Sequence, residues 1–340
     1  VIAVVALSPA LDVTHHVDGV DWAGVNRPAR VRAVAGGKGL NVASTLHALG
    51  ADVLLLGVAG GPTGAAVRAG LRTTGVPAVF TEIAADTRRT FVVVDTRGGD
   101  VASFYEPAAA VTAAEFALFL ATYRDTLPGC AAVVLSGSLP PGLPAGTYAE
   151  LITVAAEAGV PVLLDTSGEA LLRGAAAGPA IVKPNLAELA AATGRALRWV
   201  SGSDRPGMPD RAGKPGGGIE PDQAAEPDRA AVLAAAGWLR VHGAQSVVVS
   251  LGAAGLLAVT GDGAWLAAPD PVDGNPTGAG DAAVAGLAHA LTLGQSWPDR
   301  LRHAAALGAA TAAAAVAGEF AADDYQRAVA GLRIRQLEHA

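Results

Sequence analysis

Short apolar runs alternate with longer amphipathic ones along most of this chain. Residues 1–7, 53–58, 131–135, 160–164, 181–182 and 246–251 are apolar almost throughout, the pattern of strands buried on both faces. Between them, residues 40–49, 67–74, 114–127, 148–158, 171–175, 187–192 and 229–242 read as helices. Repeated strand–helix order predicts an α/β fold, a mostly parallel sheet with helices on both faces. Two stretches break the rhythm. Residues 12–35 and 79–106 hold short polar–apolar alternations at 13–20, 30–35, 79–83, 90–96 and 101–105, with turns at Gly24, Pro28 and Arg97-Gly98-Gly99-Asp100. They predict a small β-sheet lid beside the main sheet. Strands at 256–260 and 264–267 and two closing helices complete the reading. Residues 201–227 are rich in Gly, Pro and Asp with few apolar side chains, and are expected to be a flexible surface insert.

Composition narrows the class. A chain of 340 residues, 51% hydrophobic and 16% charged, suits one large domain with an elaboration. The net charge of −7 argues against a nucleic-acid partner. The single cysteine, Cys130, allows no disulfide framework within one chain, and no H-E-x-x-H zinc motif occurs. Residues 1–7 lack a basic leader and residues 304–318 are too short to span a bilayer, so no membrane association and a cytoplasmic location are expected. The chain opens on Val1, so the natural start is expected just upstream.

The richest local signal is Asn275-Pro276-Thr277-Gly278-Ala279-Gly280-Asp281-Ala282-Ala283. It reads as a glycine turn running into a helix that ends near Gly294. Backbone N–H groups at such a helix start favour an anion. A carboxylate there, Asp281, needs a task such as removing a proton. The same residues fit G-x-G-x-x-A, but the acidic partner of a dinucleotide site is missing about twenty residues on. Other strand ends carry small or polar groups: Asp12, Ser136-Gly137-Ser138, Asp165-Thr166-Ser167-Gly168, Lys183-Pro184-Asn185 and Ser250-Leu251-Gly252. In open parallel sheets ligands bind at that edge. Gly36-Gly37-Lys38-Gly39 is not a Walker A loop, because Arg32 and Gly39 occupy its required Gly and Ser/Thr positions. It reads instead as a bare helix start open to a polyol, with Asn41 one turn in.

These motifs, in this order, resemble the ribokinase/PfkB-type sugar kinases over almost the whole chain, most closely the tagatose-6-phosphate kinase and 1-phosphofructokinase branch. The matches are residues 36–43, Ser136-Gly137-Ser138-Leu139-Pro140, Leu164-Asp165-Thr166-Ser167-Gly168, Lys183-Pro184-Asn185 with Glu188, Ser250-Leu251-Gly252, and residues 275–281. The resemblance implies a ribokinase-like three-layer α/β/α sandwich with a β lid that often forms a dimer contact. It implies ATP-dependent phosphorylation of a sugar alcohol with Mg²⁺. Asp281 is carried over as the base, with Gly278, Ala279 and Gly280 as the anion hole. Asn185 and Glu188 match the metal-organising N-x-x-E, acting through water. Lys183, Asn185, Ser250, Gly252, Gly255 and Thr277 match nucleotide-side positions. Asp12, Gly36, Gly37, Lys38, Asn41 and Ser136 match sugar-side positions. Arg27 and Arg88, on the two lid stretches, match positions basic in sugar-phosphate kinases.

The chain departs from the pattern at Ser8, usually Asn, and at Val92 and Thr90, where 1-phosphofructokinases tend to have Lys and Asn. These departures point towards a ketohexose 6-phosphate. The other readings are a kinase of an unphosphorylated sugar or nucleoside and a non-catalytic sugar sensor.

Overall fold

The computed structural model describes residues 1–200, 226–270, 272, 274–314 and 319–337. The predicted insert, 201–227, lies outside the described residues apart from its last two positions. There, Glu226–Pro227 pairs antiparallel with Trp199–Val200.

Ten strands form the main sheet. From one edge they run Arg333–Leu337, Ala264–Ala268, Leu256–Val259, Val247–Ser250, Ile181–Val182, Val162–Asp165, Ala132–Ser136, Ile2–Ala6, Val53–Ala59 and Ala78–Glu82. The seven from Val247–Ser250 onward are parallel, and the other three add antiparallel. Side chains alternate between two cores. Ala3 and Val5 join the cluster under helices Ala113–Thr126, Thr147–Glu157, Gly168–Ala176, Leu186–Thr193 and Arg229–Val241. Ile2, Val4 and Ala6 join the cluster under Lys38–Ala48, Gly61–Thr74, Ala279–Thr292, Trp297–Ala313 and Ala322–Gly331. Burial on both faces accounts for the uniformly apolar strands. Among the described residues no helix is long and apolar enough to cross a membrane.

A four-stranded sheet forms the lid, in the order Arg30–Gly36, Ala10–Val17, Arg89–Asp95, Val101–Tyr105. Three details correct the sequence reading. The strand expected at 79–83 in the lid is Ala78–Glu82, and it pairs parallel with Val53–Ala59 at the main-sheet edge. The first lid strand begins at Ala10 rather than residue 13, so Asp12 lies inside it. A third helix, Ala322–Gly331, and a final strand, Arg333–Leu337, follow the two expected closing helices.

Asp95 ties the two lid stretches together. Its carboxylate accepts from the backbone N–H groups of Gly19, Val20, Arg97 and Gly98 at 2.9–3.2 Å. Those donors, Val20 first, pull its pKa down to about 2.

Candidate active site

Parallel strands bring their C-terminal ends to one edge. The lid is inserted there: residues 7–9 alone separate strand Ile2–Ala6 from Ala10–Val17, and Arg30–Gly36 runs directly into helix Lys38–Ala48. The turn at Gly37 has φ 97°, a left-handed backbone that favours glycine. Gly39 lets this helix lie on the first strand, since a Cβ there would sit 2.7 Å from Ala6 Cβ. Lys38 and Asn41 are thereby fixed in its first turn.

Helix Ala279–Thr292 starts beside them. Gly278, its N-cap residue, has φ 85° in the left-handed region, and no side chain caps the helix. First-turn N–H groups therefore face the cleft. Two expected positions are partly engaged: the Ala279 N–H donates to the Pro276 carbonyl at 3.1 Å, and the Thr277 N–H to Asn275 Oδ1 at 3.0 Å. Asp281 is the third helical residue and is buried; its Oδ2 accepts a 2.8 Å hydrogen bond from Asn41 Nδ2. Burial first, and then repulsion from Asp165, push its pKa up to about 6 against the pull of Asn41, Lys38 and Lys183.

Asp165 is the centre of the charge network, a role the sequence motif did not announce. It is 1% exposed. Lys183 Nζ lies 3.2 Å from its Oδ1, Lys38 Nζ 3.6 Å from its Oδ2, and Ser136 Oγ donates to Oδ2 at 3.1 Å. Burial opposes its ionisation, but the two lysines outweigh burial and hold its carboxyl below the usual range. Ser136, expected on the sugar, is itself buried and bonded to this carboxylate. Lys183 lies beside the helix start, since a Cβ on Gly280 would be 3.9 Å from its Nζ. Burial lowers the Lys38 pKa less than Asp165, Glu188 and Asp281 raise it, so Lys38 is firmly charged.

Asn185 and Glu188 form a reciprocal capping box at helix Leu186–Thr193. The Glu188 backbone N–H donates to Asn185 Oδ1 and the Asn185 N–H to Glu188 Oε2, both at 2.8 Å. Glu188 Oε1 remains turned to Lys38, 3.7 Å away. Among the described residues no group of three or more acidic, His or Cys side chains could cage a metal. One carboxylate oxygen beside Lys38 suits Mg²⁺, which keeps several waters and binds chiefly to substrate phosphates.

The remaining expected residues spread around this centre. Ser250 bridges to Asn185 across the sheet edge. Gly252 and Gly255 build the next turn, with φ 55° and 93°. A Cβ on Gly255 would collide with the Ala267 carbonyl at 1.9 Å. Asp12 accepts from Thr90 Oγ1 at 2.6 Å, and its carboxylate packs where a Gly36 Cβ would stand, 1.8 Å from Oδ2. Arg88 carries a buried Nε with no hydrogen-bond partner, and Ser8 Oγ is likewise buried and unpaired. Arg27 lies exposed in the loop between the first two lid strands. A cavity of about 230 Å³ lies between Pro269, Val272, Ala309 and Ala313 and the helix Ala322–Gly331, which lines it with Asp324 and Arg327.

Known proteins are similar to this chain over most of its length. The family model described as "pfkB family carbohydrate kinase" matches residues 3–323. A 1-phosphofructokinase of Rhodobacter capsulatus is 38% identical over 307 residues, 90% of this chain and 88% of that protein. The ATP-dependent 6-phosphofructokinase isozyme 2 of Mycobacterium tuberculosis is 34% identical over 311 residues, 91% of this chain and 83% of that one. Among solved structures, phosphofructokinase-2 from Escherichia coli in complex with potassium superimposes with a TM-score of 0.82 at 29% identity, covering 97% of this chain and 98% of that one. Family match, relatives and superposition span nearly the same residues, and the chain belongs to the pfkB family of carbohydrate kinases.

Proposed function

We propose that this kinase transfers the terminal phosphoryl group of ATP to a hydroxyl of a ketohexose that already carries a phosphate, giving a bisphosphate. The names of the Rhodobacter and Mycobacterium relatives support the substrate class. The single observation that carries the chemistry is Asp281: a buried carboxylate in the first turn of an uncapped helix, hydrogen-bonded by Asn41, with its pKa pushed up to about 6. A base poised near the working pH combines a large ionised fraction with useful proton affinity.

Asp281 takes the proton of the sugar hydroxyl. The hydroxyl oxygen bonds to the terminal phosphorus, the bond to the bridging oxygen breaks, and ADP leaves. Amides of Gly278 to Asp281, with Lys38 and Lys183, stabilise charge on the migrating group; losing one such donor typically costs about 3 kcal/mol. Mg²⁺, when bound, supplies further neutralisation of the phosphates, with Glu188 and Asn185 holding it through water. Asp12, Gly36, Gly37 and Asn41 take the sugar, and Arg27 and Arg88 the phosphate side. Ser136 supports Asp165 in this reading and does not touch the sugar. Ser250, Gly252 and Gly255 flank the nucleotide.

The uncharged Val92 and Thr90 support a ketohexose 6-phosphate. The name of the Rhodobacter relative favours fructose 1-phosphate as the second reading. ADP release measured across fructose 6-phosphate, tagatose 6-phosphate, fructose 1-phosphate and free sugars separates them. The 6-phosphates should show the highest kcat/KM, with free sugars on the order of 100-fold lower for want of a charge-assisted phosphate contact. Faster turnover of a free sugar or nucleoside would refute the substrate class. Asp281→Asn should cut kcat by about 10²–10⁴-fold while ATP still binds.

A further inference from the structure

Strand register sorts the lid side chains onto two faces, because residues paired across strands point the same way. Arg32, Thr14, Val92 and Ser103 form one row across the four strands. Val34, Asp12, Thr90 and Tyr105 form the next row of the same face, nearer the main sheet. Asp12 lies against Gly36 at the entry to helix Lys38–Ala48, so this face looks into the cleft. Arg32 stands two residues further out than the Asp12 row, about 7 Å by strand rise. That is about the length of a six-carbon sugar.

Arg32 is held by a partner far away in the sequence. Its guanidinium donates to Glu319 Oε1 at 2.7 Å, across 287 positions of sequence. Glu319 lies between helices Trp297–Ala313 and Ala322–Gly331, on the flank that carries the glycine turn. There a Cβ on Gly274 would meet the Ala312 carbonyl, and one on Gly308 would meet the Ala279 carbonyl. The ion pair therefore joins the lid to the nucleotide side over the mouth of the cleft. It is wet: the two side chains are 33% and 60% exposed. Exposed pairs contribute little to stability, so this one is not explained as a fold-holding contact. A carboxylate with one charge competes poorly for a guanidinium against a phosphate with nearly two and matched bidentate geometry.

We propose that Arg32 joins Arg27 and Arg88 in reading the phosphate the substrate already carries, and that Glu319 is its exchange partner when no phosphate is bound, so that sugar-phosphate binding releases the lid from the nucleotide flank. This rests on the sugar-phosphate reading above.

Initial rates with varied sugar phosphate and varied ATP test it in Arg32→Ala, Arg32→Lys, Glu319→Gln and the charge-swapped pair Arg32→Glu with Glu319→Arg. Arg32→Ala should raise the KM for the sugar phosphate about 10- to 100-fold, the worth of a charged hydrogen bond, and the KM for ATP far less. Arg32→Lys should fall between, keeping the charge and losing the fork. Glu319→Gln should lower the sugar-phosphate KM by up to about fivefold, because the competing pair is gone. The swapped pair restores an ion pair but not a phosphate reader, and its KM should stay high. Recovery of KM in the swapped pair, or an unchanged KM in Arg32→Ala, overturns the proposal and leaves the substrate class standing. Failure of the wild-type protein to turn over any of the three sugar phosphates overturns the substrate class, and the proposal with it.

Discussion

Asp281 carries a stability cost that follows from its chemistry. Its native pKa of about 6 lies above the 3.8 of a free aspartate, so between those pH values the folded protein binds the extra proton. Stability from this group is full below pH 3.8 and is lost as pH rises through 6. At pH 8 the buried charge costs on the order of 3 kcal/mol. Asp281→Asn should therefore melt several degrees higher than wild type at pH 8, with the gain vanishing by pH 4. Wild-type kcat/KM should fall about tenfold per pH unit below 6, as the base is protonated. Thermal melts and a pH–rate profile check both; a melting gain that does not depend on pH would mean Asp281 is not the strained charge described. This residue was legible in the sequence because the turn chemistry around it is local. Asp165 was visible as a strand end and as part of a matching motif, with no role assigned to it. Its role depends on Lys38, Lys183 and Ser136 arriving from three other strand ends, and Arg32 meets Glu319 only through the assembled cleft. No local pattern encodes such meetings.

At the level of elements, the helix Lys38–Ala48 shows how packing sets chemistry. It lies so close to Ile2–Ala6 that a Cβ on Gly39 would come within 3.1 Å of Ala6 Cα and the Val5 carbonyl as well as Ala6 Cβ. Gly39→Ala must lift the helix end that holds Lys38 and Asn41. Overpacking of this kind costs about 1–3 kcal/mol, and the displaced Asn41 would lose its 2.8 Å contact with Asp281. The expected outcome is a kcat loss far larger than the loss of melting temperature, partly recovered by adding Ala6→Gly. Equal, small effects on both would show that the helix can shift without disturbing the base. The parallel core strands were readable because burial on both faces leaves them uniformly apolar. The edges were not. Ala78–Glu82 alternates like a lid strand because only one neighbour pairs with it, and Arg333–Leu337, sequence RIRQL, is too polar to stand out from a helical tail. Residues 7–9, with Pro9 among them, mark the step from main sheet to lid.

For the whole molecule, the lid poses a question of cover. Its cleft face holds Asp12, Thr14, Arg32, Thr90 and Ser103 together with Val34, Val92 and Tyr105; the opposite face holds Val13, Val31, Ala33, Phe91, Val93 and Phe104 with His15 among them. Near the main sheet, Leu11 and Ala35 on that second face pack into the core beside helix Gly61–Thr74. Further out nothing in the chain covers it among the described residues, and Val31 and Phe104 are 54% and 51% exposed. A sheet with one apolar face needs a second layer to be stable, and contiguous exposed apolar area marks an interaction surface. A second copy of the same face, packed sheet on sheet, meets that need and would place two clefts on one dimer. The protein should therefore sediment as a dimer at micromolar concentration. Phe104→Asp would bury an unpaired charge at the contact and should shift it to monomer, with a lowered melting temperature that depends on protein concentration. The Asp12–Thr90 bond and the Asp95 staple lie within one chain, so a monomer should keep the lid strands paired but let the sheet move. That separates two kinetic outcomes. If the lid must be braced to hold substrate, KM for the sugar phosphate rises in the monomer while the KM for ATP stays close to wild type. A wild-type protein that sediments as a monomer at all concentrations would rule out the lid as its own partner.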